Sequence, residues 1–409
     1  MSGAAAGRLW NFEAGRRYMS FGTIASALST ACIGCVDAAP AGRVVSDSGG
    51  VTIVQSAAGA PVRILRADTT PVLTIGGATA EGAEVVHNVR WGALLEDGAV
   101  VVLDGNDEVR LFDAAGRHLR SFGGPGDGPG ELRQPQRVWA LADSLVVWQA
   151  DNRLTVYPLD GSPPRVLTSS ASRTPTTDRR AWLDGARVVL ALSNRPPIIE
   201  GMAGEHPGDV HVQVDFTAVA LDDGESSTVV SLPGAVERYL ELRIGRFGQM
   251  NFYPLAMYGA AHGAGSPGRF YAGSARRPEV QVFDTTGSLV RVVRWDTATT
   301  AIGDEMAERF RASQVPAMRA VPLADSVPYF DELAADTEGR LWVRLFDARS
   351  AEVPQRWMIF DRDGRRSAVA YVPHDMEVLD VGLHHLLALG VDSRGAQALH
   401  VLRLVEERR

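Results

Sequence analysis

A short pattern recurs along this chain and constrains its fold more than any other feature. An apolar strand runs into an aromatic residue, an Asp usually follows, and a turn ends on Gly. The clearest copies are Leu111–Gly116, Val282–Gly287 and Ile359–Gly364, while Val156–Gly161 and Ala220–Gly224 are variants. A hairpin that recurs along a chain is typical of repeat architectures, in which each unit buries its apolar face against its neighbours.

The spacing of these turns predicts the size of the repeated unit. The interval from Gly116 to Gly161 matches a four-stranded propeller blade of about 40–50 residues. The longer intervals further along the chain predict blades with insertions. Within a unit, short strands such as Ala99–Leu103 and Val109–Asp113 are bounded by turn residues, as expected for an antiparallel sheet.

The two ends of the chain predict how such a ring closes. The last stretch, from Glu377 to Leu404, supplies only three strands, and an open apolar edge is an aggregation liability. We therefore expect Val51–Val54 to complete the last blade. The sequence thus predicts an all-β, six-bladed β-propeller of four-stranded antiparallel blades, with a ring closed by the N-terminal strand. One short inserted helix is expected at Asp304–Ser313, where Met306 and Phe310 have helical spacing.

Composition excludes several classes of function. All 41 basic residues of the 409-residue chain are Arg, which does not deprotonate in proteins. Schiff-base lysines and P-loop lysines are therefore excluded. The formal net charge is −8, and no basic stripe that would neutralise phosphates is present, so we expect no nucleic-acid partner.

The N-terminal segment predicts export. Arg16 and Arg17 precede the uncharged stretch 18–34, which has the order of a basic region followed by an apolar region. The end of this stretch resembles a bacterial lipobox in two registers, so either Cys35 or Cys32 is the expected lipidation site. A cleaved secretory signal and an uncleaved anchor are the alternatives.

These observations predict the organisation of the whole chain. Residues 1–35 form the export signal, 36–49 a linker, 50–405 the propeller and 406–409 a C-terminal tail. The protein is expected to be exported, as a periplasmic or outer-membrane or cell-surface lipoprotein. Contact with a membrane is expected only through the N-terminal anchor or signal.

Three segments carry a resemblance to a known family. Phe122–Leu132, Asp336–Val343 and Leu399–Leu404 resemble segments of the bacterial six-bladed propellers related to NHL-repeat proteins, which are often exported lipoproteins. The resemblance covers about residues 50 to 405. It implies a propeller fold and a binding function, because NHL-related propellers mostly bind proteins, RNA or peptides. A few six-bladed relatives are lyases or lactonases.

Candidate residues for an axial site follow from the predicted ends of the blades. His87, Asn88, His262, His384 and His385 lie near predicted blade starts, where side chains approach the channel. The resemblance to lactonase-like propellers adds Asp336 and Asp380 as carboxylates that, with Asn88, would suit calcium. The sequence has no His-x-x-x-His pair, so the usual zinc-protease spacing is absent.

These features favour a non-catalytic module that binds an unknown protein or small-molecule ligand. No cofactor is expected, although calcium and zinc remain open. The alternative is an axial-metal enzyme of the lactonase or lyase type. No catalytic residue is assigned.

Mass spectrometry of the N-terminus of the membrane-extracted protein tests the export prediction. We expect a chain that begins at Cys32 or Cys35 and carries the mass of an added lipid. A mature chain in which both cysteines are unmodified would contradict lipidation.

Overall fold

The computed structural model describes residues 43–59, 62–150, 152–171, 182–184, 186–194, 209–244, 247–313, 319, 321–349 and 352–407. The predicted export signal, with Cys32 and Cys35, lies outside the described residues, and so does the segment 195–208. Among the helices of the described part, none is long and apolar enough to cross a membrane.

Strands dominate the structure. The N-terminal strands are β1 (Arg43–Ser48), β2 (Val51–Ser56), β3 (Arg63–Ala67) and β4 (Leu73–Gly76). A 3-10 turn at Gly82–Glu84 then leads into six consecutive antiparallel strand units, counted within the described residues. Unit 1 consists of β5 (Trp91–Leu94), β6 (Val100–Leu103), β7 (Glu108–Phe112) and β8 (His118–Gly123). Unit 2 consists of β9 (Pro135–Ala140), β10 (Ser144–Gln149), β11 (Arg153–Pro158) and β12 (Arg165–Thr168).

The later units have more than four strands or are extended by strands from the N-terminal segment. Unit 3 consists of β13 (Trp182–Asp184), β14 (Arg187–Asn194), β15 (Val210–Ala220), β16 (Ser226–Ile244) and β17 (Phe247–Pro254). Unit 4 consists of β18 (Ala261–Ser266), β19 (Arg269–Ser274), β20 (Glu279–Phe283) and β21 (Leu289–Trp295). Unit 5 consists of β22 (Phe330–Ala335), β23 (Leu341–Leu345), β24 (Gln355–Phe360) and β25 (Arg366–Val372). Unit 6 consists of β26 (Glu377–Val381), β27 (His385–Val391) and β28 (Gln397–Glu406), with β4 on the edge of β28.

Each sheet is buried on both faces, which explains its continuous apolar strands. In β6, Val100 and Val102 belong to a buried cluster shared with unit 6, while Val101 and Leu103 belong to one shared with unit 2. Because successive side chains of a strand point to opposite faces, a strand between two neighbours needs apolar residues at every position.

The same packing repeats from unit to unit. Described clusters join unit 1 to 2, 2 to 3, 3 to 4, 4 to 5 and 5 to 6, and a further cluster joins unit 6 to unit 1. Trp139 and Trp148 pack between units 2 and 3, and Trp342 and Trp357 between units 5 and 6. The buried apolar surface of each sheet is therefore covered by its neighbours in chain order, and the last unit covers the first.

The N-terminal strands pair along the outer edges of three units. Strand β2 runs parallel to β21 of unit 4, β3 runs parallel to β25 of unit 5, and β4 pairs antiparallel with β28 of unit 6. The end of β28 also pairs with β3, which joins units 5 and 6 into one nine-stranded sheet.

The expected position of Val51–Val54 is wrong. This segment lies against Arg291–Val293 of unit 4, and Leu73–Gly76 completes unit 6 instead. Both segments are short and apolar, so composition does not distinguish them. Burial does not distinguish them either, because Ile75 is buried between units 6 and 1 and Val54 is buried against unit 4.

The expected linker 36–49 ends earlier than the sequence indicated. Arg43–Ser48 forms β1, which pairs with β2 as a hairpin on the edge of unit 4. Gly49 and Gly50 close that hairpin with φ of 62° and 85°, a conformation that two consecutive glycines adopt without strain. A Gly pair that resembles a linker in composition is therefore a hairpin turn here.

The recurring Asp-to-Gly turn has the predicted hairpin geometry. The Asp113 carboxylate accepts the amide N–H groups of Ala115 and Arg117, both at 2.9 Å, and the Gly116 N–H donates to the Asp113 carbonyl. Asp284 and Asp361 accept the equivalent bonds in units 4 and 5. Each Asp therefore satisfies two turn amides, which explains why this residue type recurs. The inserted helix is also confirmed, as α1 (Asp304–Ser313).

Substitution of Ile75 tests whether β4 holds unit 6 to unit 1. Ile75 is 2% exposed, so Ile75→Ala removes buried methyl groups and should lower the free energy of unfolding by about 2–5 kcal/mol. Val44→Ala in β1 is the control, because Val44 is 64% exposed and should change stability by less than about 0.5 kcal/mol. Equal denaturation midpoints for the two variants would contradict the role of β4.

Candidate functional site

The first strands of five units end around one pocket. Residues at or just after the carboxyl ends of β5, β9, β18, β22 and β26 line it, together with the start of β4. The pocket has a volume of about 590 Å³. The first strand of each of these units contacts the first strand of a neighbouring unit. The pocket lies at one end of the region where these first strands meet.

The lining combines an apolar body with polar groups. Trp91, Val138 and Trp139 contribute apolar surface from units 1 and 2, and Leu383 contributes from unit 6. The Nε1 of Trp139 is buried and has no hydrogen-bond partner among the described residues. An indole N–H is a donor only, so this buried group lacks an acceptor among the described residues.

Carboxylates and histidines give the pocket its electrostatic character. Glu96, Glu338, Asp380, His384 and His385 belong to the lining. The described lining contains no Arg, and Arg340, which pairs with the lining residue Asp336, lies at the pocket edge. Acidic side chains therefore outnumber Arg side chains in the described lining, which disfavours an anionic ligand.

Asp380 connects the last unit to the first. Its carboxylate accepts the Leu94 N–H at 2.8 Å and the Val381 N–H at 2.9 Å. Leu94 ends β5 and Asp380 lies in β26, so this bond joins the innermost strands of units 1 and 6. The carboxylate thus has a structural task at the pocket wall.

Asp336 also has a structural task. Its buried carboxylate accepts from Arg340 Nε at 2.6 Å, from Trp342 Nε1 at 3.1 Å and from two turn amides. Arg340 extends further, to the carbonyls of Gly382 and Leu383 in the neighbouring unit. This network shapes the pocket edge between units 5 and 6.

The environment of His385 favours the neutral imidazole at neutral pH. Burial lowers its pKa below the ordinary value of 6.5, and the nearby charges of Arg403 and His384 lower it further. A His with a lowered folded-state pKa binds its proton later than the unfolded chain does as pH falls. At neutral pH, His385 therefore adds hydrogen-bonding capacity to the pocket without positive charge.

The sequence-predicted site residues are divided between two ends of the strands. His384 and His385 follow β26 and line the pocket. His87 and Asn88 precede β5, and His262 lies at the start of β18, so these three lie at the opposite strand ends. His262 contacts the Phe330 ring, with 5.7 Å between centroids. The structure does not bring the five residues together.

The pocket also contains residues that sequence reasoning did not single out. Trp91, Ser266 and Glu338 belong to its lining, and so does Trp139. Trp139, Ser266 and Glu338 lie at or near the end of a first strand, whereas Trp91 begins β5. Among the residues that the structure describes, no three His, Cys, Asp or Glu side chains gather closely enough to hold a metal ion.

Comparisons with known proteins give distant structural similarity. No family model and no curated protein matches the sequence. A Bacteroides fragilis protein inferred to be exported is 12% identical, with a TM-score of 0.45 over 87% of this chain and 100% of its own. The WD40 repeats of RRP9 are 10% identical, with a TM-score of 0.41 over 82% of this chain and 99% of their own. A DUF4221 member from Bacteroides vulgatus is also 10% identical, with a TM-score of 0.41 over 79% and 94%.

An NMR titration of the imidazole tests the environment of His385. The Arg403 charge helps to lower the pKa of His385, so Arg403→Gln should raise the His385 titration midpoint. Arg394→Gln is the matched control, because Arg394 lies in an exposed turn of the same unit and does not contribute to this shift. A midpoint that is unchanged by Arg403→Gln, or raised equally by both, would contradict this electrostatic account.

Proposed function

We propose that this chain is a six-bladed β-propeller that acts as a non-catalytic binding module. The six strand units would be its blades, in chain order. Support comes from the buried clusters, each shared by two successive units, and from the cluster that joins unit 6 to unit 1. Ring closure through β4 is supported by its pairing with β28 and by Ile75 in that last cluster.

The pocket at the carboxyl ends of the first strands carries the functional proposal. Its volume of about 590 Å³ is within the ordinary range for small-molecule sites, which is about 300–1,000 Å³. The lining is mostly apolar with a few polar groups, a composition typical of ligand pockets. We infer that the ligand occupies this pocket.

The lining restricts the ligand. Glu96, Glu338 and Asp380 disfavour an anion, and a neutral His385 does not offset them. A neutral or cationic molecule, or an uncharged side chain of a protein partner, fits these requirements.

Binding is favoured over catalysis by the bonds that the pocket carboxylates already make. Asp336 is held by Arg340 and Trp342, and Asp380 accepts the Leu94 N–H. A general acid or base must exchange protons with a substrate. Carboxylates that hold the wall together are suited to fixing the shape of a pocket.

The location of the module rests on the sequence. Arg16, Arg17 and the uncharged stretch up to Cys32 and Cys35 support export and lipid anchoring. The resemblance to NHL-related exported propellers points the same way. We therefore propose a lipoprotein whose propeller presents its pocket outside the cytoplasm.

A thermal-shift screen of neutral and cationic small molecules, paired with two variants, tests the ligand site. Thr337→Trp adds bulk at an exposed turn of the pocket lining and should abolish the stabilisation by hits from the screen. Ser393→Trp is the matched control, since Ser393 holds the same position in the Asp392 turn and is not a lining residue. Hits that stabilise Thr337→Trp as much as the parent would show that the pocket is not the site.

Metal analysis and activity assays on protein purified without chelator test the non-catalytic proposal. We expect no lactone hydrolysis. Stoichiometric calcium or zinc, together with hydrolysis of lactones, would overturn the proposal in favour of the enzymatic alternative.

A further inference from the structure

Two arginines from unit 4 converge on one carbonyl oxygen of unit 5. Arg269 begins β19 and Arg291 lies in β21. Arg269 Nη1 donates to the Arg362 carbonyl, and Arg291 Nη1 donates to the same oxygen at 2.5 Å. Because both groups reach one atom, their two positive charges lie within a few ångströms of each other.

No carboxylate neutralises this pair at close range. Within the described residues, neither Arg269 nor Arg291 has an ion pair with a carboxylate inside 4 Å. The carboxylates whose charges raise the pKa of Arg291 are Asp363 and Asp361. Asp361 already accepts the N–H groups of Asp363 and Arg365 in its own turn.

Arg291 is also partly buried, which raises the energetic cost of its unpaired positive charge. Its Nε is buried and has no hydrogen-bond partner among the described residues. Burial lowers the pKa of Arg291 and the charge of Arg269 lowers it further, although Asp363, Tyr271 and Asp361 oppose these effects. A cation that remains charged under these conditions gains from a counter-ion that also satisfies its free N–H groups.

Another arginine of the same strand shows the contrast. Arg294 Nε, three residues further along β21, donates to Glu279 at 2.7 Å. Among the described residues, Arg294 thus has a carboxylate partner and Arg291 has none within 4 Å. Arg291 and Arg294 lie in the same strand, but only the positive charge of Arg294 is paired with a carboxylate among the described residues.

We propose that Arg269 and Arg291 form a binding site for a doubly charged oxyanion of the phosphate type, at the junction of units 4 and 5. The planar guanidinium fork matches phosphate oxygens through paired N–H bonds. Two forks held against one carbonyl are already oriented, which reduces the entropic cost of binding. The site is separate from the pocket at the carboxyl ends of the first strands, which we call the axial pocket. The lining of the axial pocket is acidic, and the anion site does not depend on the ligand proposed there.

Thermal unfolding of the mature chain in sodium phosphate and in sodium chloride, at equal ionic strength, tests the site. We expect phosphate to raise Tm by at least about 2 °C above chloride, because an anion that binds only the folded state stabilises it. Arg291→Gln and Arg269→Gln should each abolish this difference. Arg294→Gln is the matched control and should retain it, because its partner is Glu279.

Two further arms identify the source of the phosphate group and separate this site from the axial pocket. Glycerol phosphate in solution and phosphatidic acid vesicles, each assayed for binding, distinguish a free phosphate monoester from the same group on a lipid. Thr337→Trp should leave the phosphate effect intact, so failure of the axial proposal would not affect this result. Equal Tm in phosphate and chloride with no vesicle binding, or a phosphate effect retained in the Arg269→Gln/Arg291→Gln double variant, would overturn the proposal.

Discussion

Burial of both faces of each sheet is the constraint on which the rest of the structure depends. Val100 and Val102 of β6 pack toward unit 6, and Val101 and Leu103 pack toward unit 2. A sheet of this kind cannot be stable at an open end, since one of its apolar faces would contact water. Units 6 and 1 share a buried cluster, and β4 contributes Ile75 to it.

The pocket follows from the same packing. When the first strands of several units approach a common centre, their carboxyl ends surround a space that backbone alone does not fill. Side chains at these ends, such as Trp139, Glu338 and His385, determine what the space binds. The Asp380–Leu94 bond lies at this wall, so one contact serves both the closure of the fold and the shape of the pocket.

The sequence predicted the repeated elements well because their signals are local. The Asp113 turn and helix Asp304–Ser313 are encoded in a few adjacent residues, and both occur as expected. Long-range pairing is not encoded in this way. Val51–Val54 and Leu73–Gly76 are equally plausible edge strands by composition, and the structure pairs the first with unit 4 and the second with unit 6. The sequence analysis selected histidines by residue type. Membership of the pocket depends instead on which end of a strand a residue occupies. His87 and His384 were therefore grouped, although they lie at opposite strand ends.

Contact between the first and last units is the central claim, and methyl NOE spectroscopy tests it most directly. In protein with labelled Val and Leu methyl groups, we predict NOEs that connect Val100 or Val102 of unit 1 with Leu387 or Leu399 of unit 6, because these residues share one buried cluster. They are separated by most of the described sequence, so no local structure produces such cross-peaks. Their absence, with NOEs intact between units 1 and 2, would contradict a closed ring.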